Sequence, residues 1–422
     1  MKKLYLFLCA MMAGTFTLTA QTDCSNGRYG QELFSNVTVT SDIVYGNNLP
    51  LSNLAEDLML DIYEPQGDTD NNRPLVIVAH GGSFVGGSKD GVDVVPICED
   101  LAKRGFVVAS ISYRLGIENL LLGPDSTDGA EAVIRGTHDG KAAVRFFRKD
   151  VAENNNTYRI DTDNIYFGGV SAGGFIALNV AYFDKDSEIP SYVDTSKPNV
   201  DGTAEGNSGN PGYSSEVKAI FNVAGAIADT NWMEAGDVPV ISLHGDQDNT
   251  VPYGTDLILV LGNPMLQVDG SASVHERAEN LGLDHCFKTQ EGEDHVPHVT
   301  NAAHYDTLRT YVGNFLYWNV CGFADAFCND VQVVNTQELA ALQQAVSVYP
   351  NPAAERITIY TGLVQGTDYQ LRLTDLAGRL VRQENNLGLT TAQIERGDLP
   401  PGAYLLHLDY EGGTVTKKVI FQ

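Results

Sequence analysis

Basic residues are scarce in this sequence: 27 lysines and arginines stand against 54 aspartates and glutamates, giving a net charge of −27 over 422 residues. An acidic balance of that size argues against nucleic acid or anionic lipid as a partner, since both would repel it. Cysteine is also sparse. Six are present, none in a Cys-x-x-Cys pair, and the nine histidines do not cluster, so the chain shows no zinc-ligand spacing and no cofactor is expected. Beyond the first twenty residues no uncharged apolar stretch reaches the 18 or so residues a transmembrane helix needs.

What is present begins with a leader. Met1-Lys2-Lys3, an uncharged apolar run over residues 4–18 and the closing Thr19-Ala20 form a secretory signal peptide over residues 1–20. Its removal takes Lys2 and Lys3 away, so 27 basic residues become 25 and the net charge becomes −29. Gln21-Thr22-Asp23 before Cys24 do not suit a lipid anchor, and none is expected. Export leaves Cys24, Cys98, Cys286, Cys321 and Cys328, an odd number for an oxidising compartment, so at least one thiol lacks an intrachain partner. Cys321 and Cys328 are close enough to bridge a short loop, and Cys24 with Cys98 would make a longer link. Spacing decides neither.

The composition changes near residue 330. Before it, buried-type apolar runs at residues 75–79, 107–111, 165–167, 219–223 and 238–243 alternate with helical stretches at 94–104, 131–153, 172–182 and 301–318. Such alternation predicts an α/β fold with a mostly parallel sheet covered by helices on both faces, over residues 21–330. Residues 37–45 and 58–63 alternate apolar with polar positions and predict an antiparallel pair at one edge. The acidic, Gly/Ser/Asn/Pro-rich stretch 184–215 predicts an ordered insertion or cap loop over the carboxyl ends of the strands, where ligands enter. A linker over 331–345, with a helical patch at 337–344, leads to residues 346–422. There, short alternating strands at 356–360, 369–374, 380–383, 404–410 and 414–421, punctuated by glycines, predict a small all-β, immunoglobulin-like sandwich.

The chemistry centres on Ser171. It sits in Gly168-Gly169-Val170-Ser171-Ala172-Gly173-Gly174 directly after the run Asn164-Ile165-Tyr166-Phe167, the arrangement of a strand-to-helix elbow that presents a serine oxygen. A serine hydroxyl needs a neighbouring base, and an imidazole titrating near neutrality suits the task. His295, in a loop after the expected strand at 286–291 and before the last long helix, is the candidate; His298 is its competitor, and His304 falls inside the helix. Asp248, just past the strand at 238–243, is the candidate for holding the base in one tautomer; Asp246 in the same turn is its competitor, though closer to the strand it is expected rather to brace the loop. Backbone amides of Gly82, Ser83 and Ala172 are the expected donors to a developing oxyanion. The His80 ring is expected to fasten that loop. Phe84 and Trp232 follow strand ends and are candidates for lining the substrate pocket.

His80-Gly81-Gly82, Ser112-Tyr113-Arg114-Leu115, Gly169-Val170-Ser171-Ala172-Gly173-Gly174 and His244-Gly245-x-x-Asp248 with Val251-Pro252, taken together over roughly residues 58–318, resemble the α/β-hydrolase family in its carboxylesterase and hormone-sensitive-lipase-like branch. Ser83 departs from that branch, which usually carries a third glycine there, so the resemblance implies a differently shaped oxyanion loop and a narrower acyl pocket. Val348-Tyr349-Pro350-Asn351-Pro352-Ala353, Asp375-Leu376-Ala377-Gly378-Arg379, Gly402-Ala403-Tyr404 and Lys417-Lys418-Val419-Ile420 resemble the C-terminal sorting domain of the type IX secretion system. That resemblance implies passage through the outer membrane by the type IX machinery and an enzyme released or attached at the cell surface.

The sequence therefore points to a secreted serine esterase without metal or cofactor, acting on a small-molecule or polysaccharide ester through a Ser-His-Asp triad and an acyl-enzyme. An exopeptidase or amidase of the same fold is the first alternative. A non-catalytic surface adhesin is the second.

Overall fold

The computed structural model describes residues 22–260, 263–330, 345–362, 369–375, 379–384, 389–410 and 413–422. The expected signal peptide at 1–20 and the helical patch at 337–344 lie outside these described residues.

The first part of the chain runs in the order β1 (Val37–Asn48), β2 (Glu56–Pro65), β3 (Arg73–Ala79), α1 (Val95–Lys103), β4 (Val107–Ile111), α2 (Ser126–Glu153), β5 (Ile160–Val170) and α3 (Ala172–Tyr182). It continues with β6 (Ala219–Val223), β7 (Ala226–Ile227), β8 (Val240–Gly245), β9 (Thr255–Val260), β10 (Asn263–Gly270), α4 (Ser271–Leu281), β11 (His285–Gln290) and α5 (Ala302–Cys321). Eight strands form one sheet in the order β1-β2-β4-β3-β5-β6-β8-β11. The β1–β2 and β2–β4 pairs are antiparallel and the others parallel, which matches the expected edge pair and parallel core.

Every residue of β3, β4, β6 and β8 is buried. Their unbroken Val/Ile/Leu runs follow from that, because helices cover both faces and no side chain meets water. Ala142, Phe147, Ile176 and Val274 of α2, α3 and α4 pack on one face; Ile97, Leu101, Leu308 and Phe315 of α1 and α5 pack on the other.

Three features depart from the sequence reading. Helix α2 starts at Ser126, not at 131, because the Asp125 carboxylate accepts the N–H groups of Thr127 and Asp128 while the Asp128 carboxylate accepts that of Asp125. Strands β9 and β10 and helix α4 fill the interval between β8 and β11, where no element was expected, and β10 pairs with the short β7 that precedes β8 to make a small sheet of order β7-β10-β9. The stretch 184–215 does not cap the carboxyl ends of the strands. It runs against α2 because that helix carries buried N–H donors in need of acceptors: Arg145 binds the Glu205 carboxylate at 2.7 Å and the Gly209 carbonyl at 3.0 Å, and the His138 imidazole donates from Nε2 to the Thr203 carbonyl at 2.8 Å. Arg114, paired with buried Asp139 at 2.9 Å, reaches the Asn199 carbonyl and Ser208 Oγ.

Neither disulfide considered from spacing forms. Cys24 joins Cys321 at the end of α5, and Cys286 of β11 joins Cys328. Among the described cysteines Cys98 is the free thiol, fully buried on the inner side of α1 among Ile97, Leu101 and Val76.

In the last part of the chain, β12 (Ser347–Tyr349), β13 (Arg356–Tyr360) and β16 (Thr391–Glu395) form a three-stranded sheet. β14 (Tyr369–Asp375), β15 (Leu380–Glu384), β17 (Gly402–Tyr410) and β18 (Gly413–Phe421) form a four-stranded one in the order β15-β14-β17-β18. Ile357, Ile359 and Ile394 of the first pack with Leu371, Leu406 and Val419 of the second, making the expected sandwich. β12 and β16 are additions to the strands read from sequence.

Candidate active site

Ser171 occupies the turn between β5 and α3 with φ 54° and ψ −117°, a conformation a residue with a side chain adopts only when its surroundings impose it. Both flanks impose it. Ser171 N–H donates to the Val223 carbonyl of β6 at 2.7 Å, and the Ser171 carbonyl accepts Phe175 N–H at 3.1 Å to start the helix. A Cβ on Gly169 would overlap the backbone of Gly173, and one on Gly173 would overlap the Ala79 carbonyl, so the elbow closes only with hydrogen at both positions.

The loop after β11 brings His295 over the elbow. His295 Nε2 lies 2.8 Å from Ser171 Oγ, and Nδ1 lies 2.6 Å from Asp248 Oδ2. A carboxylate only accepts, so Nδ1 carries the proton and Nε2 is the free base that receives the serine O–H. The Asp248 side chain is fully buried. Burial alone would push its carboxyl up, but hydrogen bonds from His244 and His295 outweigh it and hold the group well below the usual carboxylate range. Thr250 and Val251 N–H groups complete its shell at 2.8 and 2.9 Å. Asp246 braces the loop through its bond from Gly292 N–H at 2.7 Å.

The loop after β3 faces the same hydroxyl. Gly82, Ser83 and Phe84 have φ of 114°, 55° and 58° in succession. Such a conformation persists only if anchored. Gly81 N–H donates to Asp93 Oδ2 at 2.7 Å, and the His80 ring donates from Nδ1 to the Gly81 carbonyl at 2.6 Å. His80 is fully buried, stacks on Tyr113 at 4.4 Å and takes the Tyr113 hydroxyl on its own carbonyl. The N–H groups of Gly82, Ser83 and Ala172 have no hydrogen-bond partner among the described residues.

A cavity of about 220 Å³ opens beside Ser171, lined by Ser83, Phe84, Ile117, Phe175, Met265 and Leu266 among others, with the β9–β10 hairpin as one wall. Phe84 is thus on the cavity. Trp232 is not: it packs on Phe183 at 5.2 Å beside a smaller apolar pocket that shares only Val133, Phe175 and Leu266 with the first. His298 is buried and makes no bond to Ser171; burial presses it down to about 4. His304 pairs with Glu293 at 3.0 Å. Sequence reading missed His244, Asp93 and the β9–β10 wall. His244 stands in a quoted motif and was passed over in favour of its aspartate, whereas Asp93 comes beside Gly81 only through tertiary folding. Among the described residues no group of three or more His, Cys, Asp or Glu is placed to hold a metal ion, and no helix is long and apolar enough to cross a membrane.

Residues 60–228, which include Ser171 and the loop after β3, match the BD-FAE family. Asp248 and His295 lie beyond the matched residues. Residues 347–422 match the secretion system C-terminal sorting domain, the type IX tail that directs a protein to the cell surface or outside. No curated protein matches the chain. Similar solved structures include a truncated form of a carbohydrate esterase from gut microbiota, with a TM-score of 0.48 and 19% identity over 69% of this chain and 99% of that one. Thermogutta terrifontis esterase 2 phosphorylated by paraoxon gives 0.46 and 21% over 68% and 95%, and the butyrate-bound enzyme from the same species gives 0.42 and 22% over 62% and 85%.

Proposed function

We propose that this chain is a secreted serine esterase that cleaves a small-molecule or polysaccharide ester through an acyl-enzyme. Ser171 Oγ attacks the ester carbonyl while His295 Nε2 takes its proton; the same imidazole then protonates the departing alcohol. Asp248 holds the Nδ1–H tautomer and stabilises the imidazolium. The N–H groups of Gly82, Ser83 and Ala172 receive the oxyanion, each such donor contributing about 3 kcal/mol to the transition state. Water, activated by His295 in turn, releases the acid. Residues 21–330 act as the catalytic unit, 331–345 as linker and 346–422 as the sorting unit.

The observation that carries this reading is the continuous series Ser171 Oγ, His295 Nε2, His295 Nδ1 and Asp248 Oδ2, with links of 2.8 and 2.6 Å. Ser171→Ala should abolish turnover of short-acyl nitrophenyl esters and labelling by a fluorophosphonate probe, while the circular dichroism spectrum stays unchanged. Retained turnover in a folded variant would overturn it.

A further inference from the structure

Asp248 is shared by two histidines. Its Oδ2 accepts from His295 Nδ1 at 2.6 Å and also lies 3.1 Å from His244 Nε2. The protonation of that second imidazole is fixed from both sides. Nε2 also faces the Val251 carbonyl at 3.2 Å, so it confronts two acceptors and must carry the hydrogen. Nδ1 lies 2.7 Å from Ser271 Oγ and is left to accept the serine O–H. Ser271 Oγ in turn accepts from Asn222 Nδ2 at 3.0 Å, and Asn222 Oδ1 accepts Gly225 N–H at 2.9 Å. His244, Ser271 and Asn222 are all fully buried. A directed series of donors thus runs from Asn222 on β6 through Ser271 at the start of α4 to His244 on β8 and ends on Asp248.

We infer that His244 is a positioning residue for the Ser171–His295–Asp248 series: its Nε2–H fixes the Asp248 carboxylate so that Oδ2 points at His295 Nδ1. The inference rests on the esterase reading above. A carboxylate carries several acceptor directions, and the donors on Oδ1 with a single donor from His295 on Oδ2 leave Oδ2 room to swing off the His295 axis. A second donor on the same oxygen, with Thr250 and Val251 N–H on Oδ1, removes that freedom. The cost of losing a hydrogen bond to a charged group sets the scale, roughly tenfold to hundredfold in rate.

The test compares His244→Gln, whose amide N–H reaches where Nε2–H stood, with His244→Leu, which has the volume and no donor. His244→Leu should lower kcat on a short-acyl nitrophenyl ester about tenfold to hundredfold with KM unchanged within about twofold, and His244→Gln should recover most of that loss. Ser271→Ala supplies an arm that does not put an apolar group against the carboxylate; there the far-downfield proton resonance of the His295–Asp248 bond should move upfield. Unchanged kcat in folded His244→Leu, a Gln variant as impaired as the Leu one, or an unmoved resonance in Ser271→Ala would each reduce His244 to a packing role. Ser171→Ala, measured alongside, separates the two questions: activity there defeats the esterase reading itself, whereas its loss with unaffected His244 variants defeats only the positioning role.

Discussion

Asp93 Oδ2 takes the backbone N–H of Gly81 at 2.7 Å, although twelve residues separate the two and no element joins them directly. That bond fixes the peptide just ahead of the Gly82 and Ser83 amides, which the proposed mechanism assigns to the oxyanion. Asp93→Ala should therefore lower kcat roughly tenfold or more, the order of one misplaced oxyanion donor or less, with little change in KM. Asp93→Asn, which keeps an acceptor oxygen, should retain most of the activity. Equal activity in all three proteins on the same ester would show that the loop holds its shape unaided.

Replacing Asp248 by Asn preserves the shape of the side chain and presents an N–H₂ where His295 needs an acceptor. The expected fall in kcat is about 10³- to 10⁴-fold, with the melting temperature within a few degrees of the parent. Steady-state kinetics beside a thermal melt checks both halves.

Gly173→Ala tests the elbow. The added methyl meets the Ala79 carbonyl, and the backbone must shift to admit it, at a cost of about 1–3 kcal/mol. Denaturant unfolding of the variant should show that loss together with a lower kcat; an unshifted midpoint would mean that the strand and helix are not in fixed contact there.

Val133 stands between the cavity beside Ser171 and the smaller pocket next to Trp232. Val133→Ala should join them. The ratio of kcat/KM for octanoyl over acetyl nitrophenyl esters is then expected to rise several-fold, up to about tenfold for one or two more buried methylenes at about 0.8 kcal/mol each. A ratio that stays put would place the acyl chain elsewhere.

Stability should fall on mild acidification. Burial presses His298 to about 4, and His138 and His275 to about 3. The unfolded chain binds protons at these imidazoles below about pH 6.5, where the folded chain does not, so the unfolded state is the one favoured by added protons. The stabilisation is intact above that pH and declines from there towards pH 4, by up to about 1.4 kcal/mol per pH unit for each group. Urea unfolding at pH 7.5, 5.5 and 4.5 should show the decline, and a His138→Asn variant should show it less steeply.

Much of this was legible in the sequence because it is written in local patterns. The unbroken apolar runs of β3, β4 and β6 announce strands buried on both sides, and glycines flanking Ser171 announce a turn that excludes side chains. Asp125-x-x-Asp128 also carries the true start of α2, though its capping geometry is as local as any other signal and was overlooked. What was not legible depends on distant groups meeting. Nothing near Asp93 marks it as a partner of Gly81. The wrong placement of 184–215 came from reading that stretch as a cover for strand ends, when the buried Arg145 and His138 of α2 dictated its course. Cysteine pairing was illegible for a similar reason: spacing decides no pair, whereas the end of α5 and strand β11 bring sulfurs together that lie far apart in the chain.

Both disulfides lie wholly before residue 331, and one of them spans 297 positions of the chain. Once oxidised, such a polypeptide carries two overlapping rings, closed at 24–321 and at 286–328, and it cannot be drawn out as a single thread. Any gate that admits it after those bonds form has to accommodate a particle with a radius of gyration of about 19 Å. Scission anywhere in 331–345 would free that particle from its address tag without touching either ring.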